Sequence, residues 1–248
     1  MKNTASIFLF MIAFLPSPLL NAESDSLNEF DVVYNVYRDG LKVAKMQRIL
    51  SRTDDGNMLY SETKTTGIVS LFRKDKIIEK SVWKNIDGKL KPSLYEYLRT
   101  GSKRDRNVTV EFDWDSNQII NSVDGSSWKM PTVDGILDKL LYQYSIMLDL
   151  QQGKSSLRYV IADGGKEKIY LFETMGEETI KTPLGNLQTI KLKRQRQDSD
   201  RQSIFWSAPE MNYLPVKLEI TDDGDSTVVI IDSITVINSE PSPELVLR

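Results

Sequence analysis

Alternation of apolar and polar side chains, cut at short intervals by Asp-Gly and similar turn pairs, constrains this chain more than any other feature. Side chains of an extended strand point to opposite faces in turn, so period two marks a sheet with one buried face. Val108, Val110, Phe112 and Trp114 fall on one such face, with Thr109, Glu111 and Asp113 on the other. Residues 30–38 run into Asp39-Gly40 and then into residues 41–52. Asp-Gly between two β-rich runs is the strongest short-range hairpin signal, because both central residues must reach positive φ. Asp55-Gly56, Asp87-Gly88, Ser116-Asn117, Asp163-Gly164-Gly165 and Asp222-Asp223-Gly224 repeat the pattern. Residues 169–172, 187–192, 216–220 and 228–237 continue the series. Roughly ten strands with short links predict a mainly β chain, a curved antiparallel meander forming an open or incomplete barrel.

One segment departs from this rhythm. Between residues 136 and 152, Ile136, Leu137, Leu140, Leu141, Tyr144, Met147, Leu148 and Leu150 recur at helical spacing. This predicts one internal amphipathic helix near 136–152, with Asp134 as its cap and Gly153 at its end. The apolar stripe is wide, so one side of the helix is expected to lie against the sheet. Strands on both sides of it predict a single domain over residues 23–248, with a frayed tail from about Ser239.

Residues 1–22 read as an export signal rather than as part of the fold. Lys2 supplies a positive start, residues 7–15 are an almost unbroken apolar run, and Ala22 precedes the acidic Glu23-Ser24-Asp25. The run is about half of the ~20 residues that a spanning helix needs, so a cleaved signal is expected over an anchor. No second run of spanning length follows. The expected address is the periplasm of a Gram-negative type envelope.

Composition narrows the chemistry. With 32 Lys and Arg against 35 Asp and Glu, the formal charge is −3. There is no polybasic block, so nucleic acid is not an expected partner. The stretches Arg99 to Arg106 and Lys191 to Arg201 are diluted by Asp105, Asp198 and Asp200 and read as solvated edges or loops. The chain has no Cys and no His. That removes disulfides, thiol nucleophiles, thiolate and imidazole metal sites, and every His-dependent triad. No cofactor or metal site is expected.

Carboxylates are the main catalytic option left. Glu96, Glu111, Asp113 and Glu219 fall on predicted strands, and two facing one cleft could hydrolyse a glycosidic bond. Acids on the solvent face of an alternating strand are expected in any case. Ser81-Val82-Trp83-Lys84 has Ser-x-x-Lys spacing, but on a strand Ser81 and Lys84 face opposite ways. Asp222-Asp223-Gly224-Asp225 is too short for a calcium loop and reads as a turn. Aromatic residues spread over the strands and the helix either fill the core or line an apolar pocket. Trp83, Tyr95, Trp114, Tyr144 and Trp206 are the candidate ligand-lining residues.

Three segments carry a family resemblance: residues 182–191 (Thr-Pro-Leu-Gly-Asn-Leu-Gln-Thr-Ile-Lys), Phe205-Trp206-Ser207-Ala208-Pro209, and residues 213–219 (Tyr-Leu-Pro-Val-Lys-Leu-Glu). Together with residues 34–40 (Tyr-Asn-Val-Tyr-Arg-Asp-Gly), they resemble an exported bacterial family known as domain of unknown function 3108. That family looks akin to periplasmic lipoprotein carriers, in which a curved, incomplete barrel cradles acyl chains beneath helices. The resemblance implies a non-enzymatic binding or carrier module for a lipid or other amphiphile. Two alternatives stand beside it: a structural or assembly protein that binds an envelope protein, and a carboxylate-dependent glycan hydrolase.

Overall fold

The computed structural model describes residues 27–102, 104–195 and 201–237. The proposed signal segment and the tail from Ser239 lie outside these residues. So do Asp198 and Asp200.

The first half of the chain is a run of hairpins: β1 (Glu29–Arg38), β2 (Leu41–Thr53), β3 (Gly56–Thr65), β4 (Lys76–Ile86), β5 (Lys89–Thr100), β6 (Arg106–Asp113), β7 (Gln118–Val123) and β8 (Ser126–Pro131). A two-residue strand, β9 (Ile136–Leu137), leads into the helix α2 (Leu141–Gln151), and a short helix, α1 (Val69–Phe72), sits between β3 and β4. The second half contains β10 (Leu157–Ala162), β11 (Glu167–Thr182), β12 (Gly185–Gln195), β13 (Gln202–Ala208), β14 (Leu214–Asp222) and β15 (Asp225–Ile237). The Asp-Gly turns have the geometry that their chemistry predicts. Asp39 and Gly40 sit at φ 48° and 80°, Asp87 and Gly88 at 52° and 72°, and Asp223 and Gly224 at 48° and 86°. Both central residues are left-handed, which matches the twist of the flanking strands.

All fifteen described strands form one sheet, ordered β8-β7-β6-β5-β4-β3-β2-β1-β15-β14-β13-β12-β11-β10-β9. Two meanders are thus joined where β1 pairs with β15. The sheet is antiparallel except where β10 runs parallel to β9, the pairing that a helical crossover permits. Its ladder does not close, because β8 and β9 are its two edges. Residues 132–135 alone connect those edges, so they lie within about 18 Å of each other. β9 comes up against β5, and the sheet therefore curls round on itself. The expected open, barrel-like meander is the fold observed, with fifteen strands rather than ten.

The helix differs from expectation in two respects. It begins at Leu141, and Ile136-Leu137 form the parallel strand β9 instead of its first turn. Its cap is Asp138 rather than Asp134. Asp138 Oδ1 accepts bonds from the backbone N–H of both Leu140 and Leu141 at 2.8 Å, satisfying donors that the first turn of a helix leaves free. Asp134 is instead exposed and ion-paired with Lys89 at 2.8 Å. The end is as expected: Gly153 has φ 68° and donates to Leu150 O, and Lys154 N donates back to Asp149 O.

Nor does α2 bury a single side. Leu141, Tyr142, Tyr144, Ile146, Met147, Leu148 and Leu150 are all buried, on every side of the helix. A helix apolar all round belongs inside a core. Its partners confirm the position: Trp83 on β4 lies 4.9 Å from Tyr144, and Tyr170 and Phe172 on β11 lie 5.2 and 5.9 Å from Tyr142. Arg48 on β2 donates to Gln143 at 2.7 Å. Strands from both meanders therefore touch one helix, and the sheet wraps it. Each fully buried side chain of this kind contributes about 1.5–3 kcal/mol, which holds an eleven-residue helix that would be marginal alone.

Candidate functional site: a cationic cavity beneath the β5–β8 flap

The concavity that the alternation predicts is largely taken up by α2, leaving an open cleft of about 400 Å³ beside the helix at Ser145, Leu148, Asp149 and Gln152 and a smaller cavity elsewhere. β5 to β8 extend past the β9 edge as a flap, and a cavity of about 190 Å³ separates the inner face of that flap from the β10–β11 turn. Strand parity supplies its walls. Tyr95, Tyr97 and Arg99 of β5 alternate inward, as do Arg106, Val108 and Val110 of β6, and Asn121 and Val123 of β7. Lys139, Asp163, Gly164 and Gly165 form the opposite side.

One contact closes the far side. Trp128 of β8 also lines the cavity and meets Gly165 across the seam. Gly165 has φ 73°, and a Cβ there would fall 1.7 Å from Trp128 Nε1. Only glycine allows this approach, for conformation and for space.

The polar groups of the cavity are arranged against ordinary stability. Arg99 and Arg106 are directly opposite in the β5–β6 register, and like charges so placed destabilise a sheet. Among the described residues neither has a carboxylate within ion-pair distance; Arg99 Nη2 donates to the carbonyl of Arg104 at 3.3 Å. Arg99 Nε is buried without a partner. Asn121 is 1 % exposed, and its amide Nδ2 also has none. A buried donor left unbonded costs about 1–3 kcal/mol. Burial raises the phenol pKa of Tyr97, against the pull of Arg99 and Arg106. Lys139, by contrast, is matched by Asp163 at 3.4 Å. Burial alone would raise the Asp163 pKa, but Lys168, Lys139 and the Tyr170 hydroxyl outweigh it and leave it lowered.

Next to this cavity is a buried polar chain. Ser81 Oγ donates to Asp138 Oδ2 at 2.6 Å, and Tyr95 OH donates to Glu79 Oε1 at 2.8 Å. Ser81 and Tyr95 are register partners on β4 and β5. Burial pushes the Asp138 carboxyl up to about 6, against its bonds from Ser81 and two backbone amides. Among the described residues no Lys is bonded to Ser81, whose hydroxyl goes to Asp138, and Lys84 is exposed, so the Ser-x-x-Lys spacing forms no Ser-Lys pair.

Of the five aromatic residues singled out from sequence, only Tyr95 lines the cavity. Trp83 and Tyr144 pack on each other at a 52° tilt between sheet and helix, and Tyr144 OH accepts from Leu27 N at 3.2 Å. Trp114 stacks on Phe112, lies under Lys91, and donates to Pro92 O at 2.7 Å. Trp206 is on the face opposite Phe205, away from α2. Its indole donates to Glu178 at 3.0 Å, with Lys191 and Lys217 over its ring at 5.1 and 4.0 Å. The four candidate carboxylates do not come together in the cavity: Glu96 and Glu111 are diagonal neighbours on the other face of β5 and β6. Glu96 pairs with Lys80 at 2.5 Å and Glu219 with Lys217 at 3.2 Å. Asp113 accepts from Ser116 N in a turn, and Glu111 is exposed. Arg99, half-buried, and Arg106, exposed as its place in a solvated edge or loop implies, bring cations to the cavity together with Lys139. The parity Tyr95-Tyr97-Arg99 would have placed Arg99 on the buried face.

Residues 29–231 match the family described as Protein of unknown function (DUF3108). The chain belongs to that family. No curated protein sequence matches it. Among solved structures, the "Beta-barrel-like Protein of Domain of Unknown Function DUF1849" from Brucella abortus superposes with a TM-score of 0.57 at 6 % identity, covering 86 % of this chain and 99 % of that one. That likeness is one of fold, and it agrees with the curled sheet of this DUF3108 chain. A "putative lipoprotein" from Parabacteroides distasonis aligns at 10 % identity over 84 % of this chain and 96 % of that one, with a TM-score of 0.33. Among the described residues, no helix of this DUF3108 protein is long and apolar enough to cross a membrane.

Proposed function

We propose that this protein is an exported, periplasmic, non-enzymatic binding module whose ligand is a single-chain anionic amphiphile held in the cavity beneath the β5–β8 flap. The observation that carries this reading is the opposed Arg99–Arg106 pair at one end of the cavity, with no carboxylate partner among the described residues. Two cations held together without a carboxylate are a ready receptor for a phosphate or carboxylate, and Arg is the residue best shaped for either. Val108, Val110 and Val123 supply an apolar wall beside them. At about 190 Å³ the cavity is smaller than the roughly 300–1,000 Å³ of a typical small-molecule pocket. It accommodates a headgroup and the first carbons of a chain, with the remainder passing out along the seam. The apolar run of residues 7–15 supports export.

Titration calorimetry below the micelle threshold tests the reading, with decyl phosphate compared with decyl maltoside. The expected result is binding of the phosphate alone, weakened about tenfold or more by Arg99→Gln, the effect of losing one charge-assisted pair. Equal binding of the two amphiphiles, or of wild type and variant, would refute it.

A further inference from the structure

We infer that the β3–β4 connection is a membrane-docking finger, inserting its apolar tip into the interface of an anionic lipid surface. The most exposed of the large apolar side chains among the described residues are concentrated here: Ile68 and Leu71 are 77 % exposed and Phe72 is 83 % exposed. None of the residues of α1, at the tip, is buried. Scattered surface hydrophobes are ordinary, but three together on one projection mark an interaction site.

The tip is built rather than loose. Ser70 Oγ donates to Gly67 O at 2.6 Å, and Arg73 N closes one helical turn on Val69 O at 2.9 Å. At its base Thr65 donates to Arg73 O at 2.8 Å, and Thr66 N donates to Val43 O at 2.9 Å. The apolar side chains are thus held out in water by a bonded frame, an arrangement with a cost unless something covers them.

Charge identifies the cover. Arg73 and Lys74 follow the tip directly, and the β5–β6 turn abuts them: a Cβ on Gly101 would fall 2.1 Å from Lys74 O. That turn adds Arg104, and its strands carry Arg99 and Arg106. The acids nearby are Asp75, paired with Arg73 at 2.9 Å, Glu62, paired with Lys64 and Lys76, and Asp105, which accepts from Gly101 N. A cationic end on a chain of net charge −3 is a local inversion, and it lies beside the exposed apolar tip. Apolar side chains buried at the acyl boundary beneath a basic collar at the headgroups is how peripheral proteins hold anionic membranes. The finger and the cavity share one end of the barrel, but docking does not require a ligand in the cavity.

Vesicle co-sedimentation tests the proposal. Vesicles of phosphatidylglycerol and phosphatidylethanolamine are compared with phosphatidylcholine alone, using wild type, Leu71→Ser/Phe72→Ser and Arg73→Gln/Lys74→Gln. Both substituted pairs are exposed, so their melting curves should overlay wild type and their decyl phosphate binding should persist. Wild type is expected to bind the anionic vesicles and release them at high salt. The Leu71/Phe72 variant should lose about tenfold or more in partitioning, from the apolar area withdrawn, and the Arg73/Lys74 variant should lose the preference for anionic lipid. Unchanged partitioning of the Leu71/Phe72 variant would overturn the proposal. So would a wild-type dimer that this variant converts to monomer, since the finger's partner would then be a second copy.

Discussion

Ser81 and Asp138, 57 residues apart, share a 2.6 Å hydrogen bond that ties the inner face of β4 to the start of α2. The same carboxylate caps the helix through Leu140 and Leu141. One fully buried side chain therefore fixes where the chain stops being sheet and where the sheet meets its internal helix.

Asp138 makes stability depend on pH in an unusual direction. Its pKa is raised by burial from the ordinary 3.8 to about 6, so the folded state holds the proton more tightly than the unfolded chain does. The resulting stabilisation is fully present below pH ~4 and is lost as pH rises through about 6, a change of up to about 3 kcal/mol. Asp138→Asn keeps an oxygen for Leu140 and Leu141 and an amide opposite Ser81, without a charge to desolvate. Denaturant unfolding should show this variant more stable than wild type at pH 7.5 and level with it near pH 4. A variant less stable than wild type at both pH values would contradict this.

The Trp83–Tyr144 contact anchors α2 to the first meander. Truncating either to Ala should cost about 3–5 kcal/mol, as for other buried aromatic residues. The pair should show a coupling of about 0.5–1.5 kcal/mol in a double-mutant cycle of Leu substitutions. Additive losses would mean that the helix is not held there.

Gly165 governs the seam. Gly165→Ala puts a methyl group where the Trp128 indole lies and forces an L-residue to φ 73°, for a loss of about 1–3 kcal/mol. Trp128 should be displaced towards solvent, with a red shift in its emission. Adding Trp128→Leu should recover part of the stability. If Gly165→Ala melts and fluoresces like wild type, the flap does not close on that turn.

How much was legible in the sequence depended on whether one residue could carry the signal alone. Asp39-Gly40 and Asp87-Gly88 were readable because two adjacent residues determine a hairpin turn by themselves. Ile136-Leu137 were not, since two apolar residues ahead of a helical stripe fit a first turn and a short buried strand equally well. The helix stripe showed its apolar residues but not that a sheet encloses them, which depends on pairing between β1 and β15, distant in sequence. Arg99 and Arg106 mark the limit of that reading: Arg106 is exposed, as a charged residue in an alternating strand is taken to be, while Arg99 is half-buried. Their inward parity follows from Tyr95 and Tyr97, and Asn121 stands inward between Ile119 and Val123 in the same way.

Native mass spectrometry of the protein purified gently from the envelope of the cell that makes it tests the central claim most directly. Wild type and Arg99→Gln/Arg106→Gln are compared, with lipid extraction of each. The account predicts a single-chain anionic amphiphile bound one to one on wild type and absent from the variant. Wild type without any bound amphiphile, or the same adduct on both proteins, would contradict it.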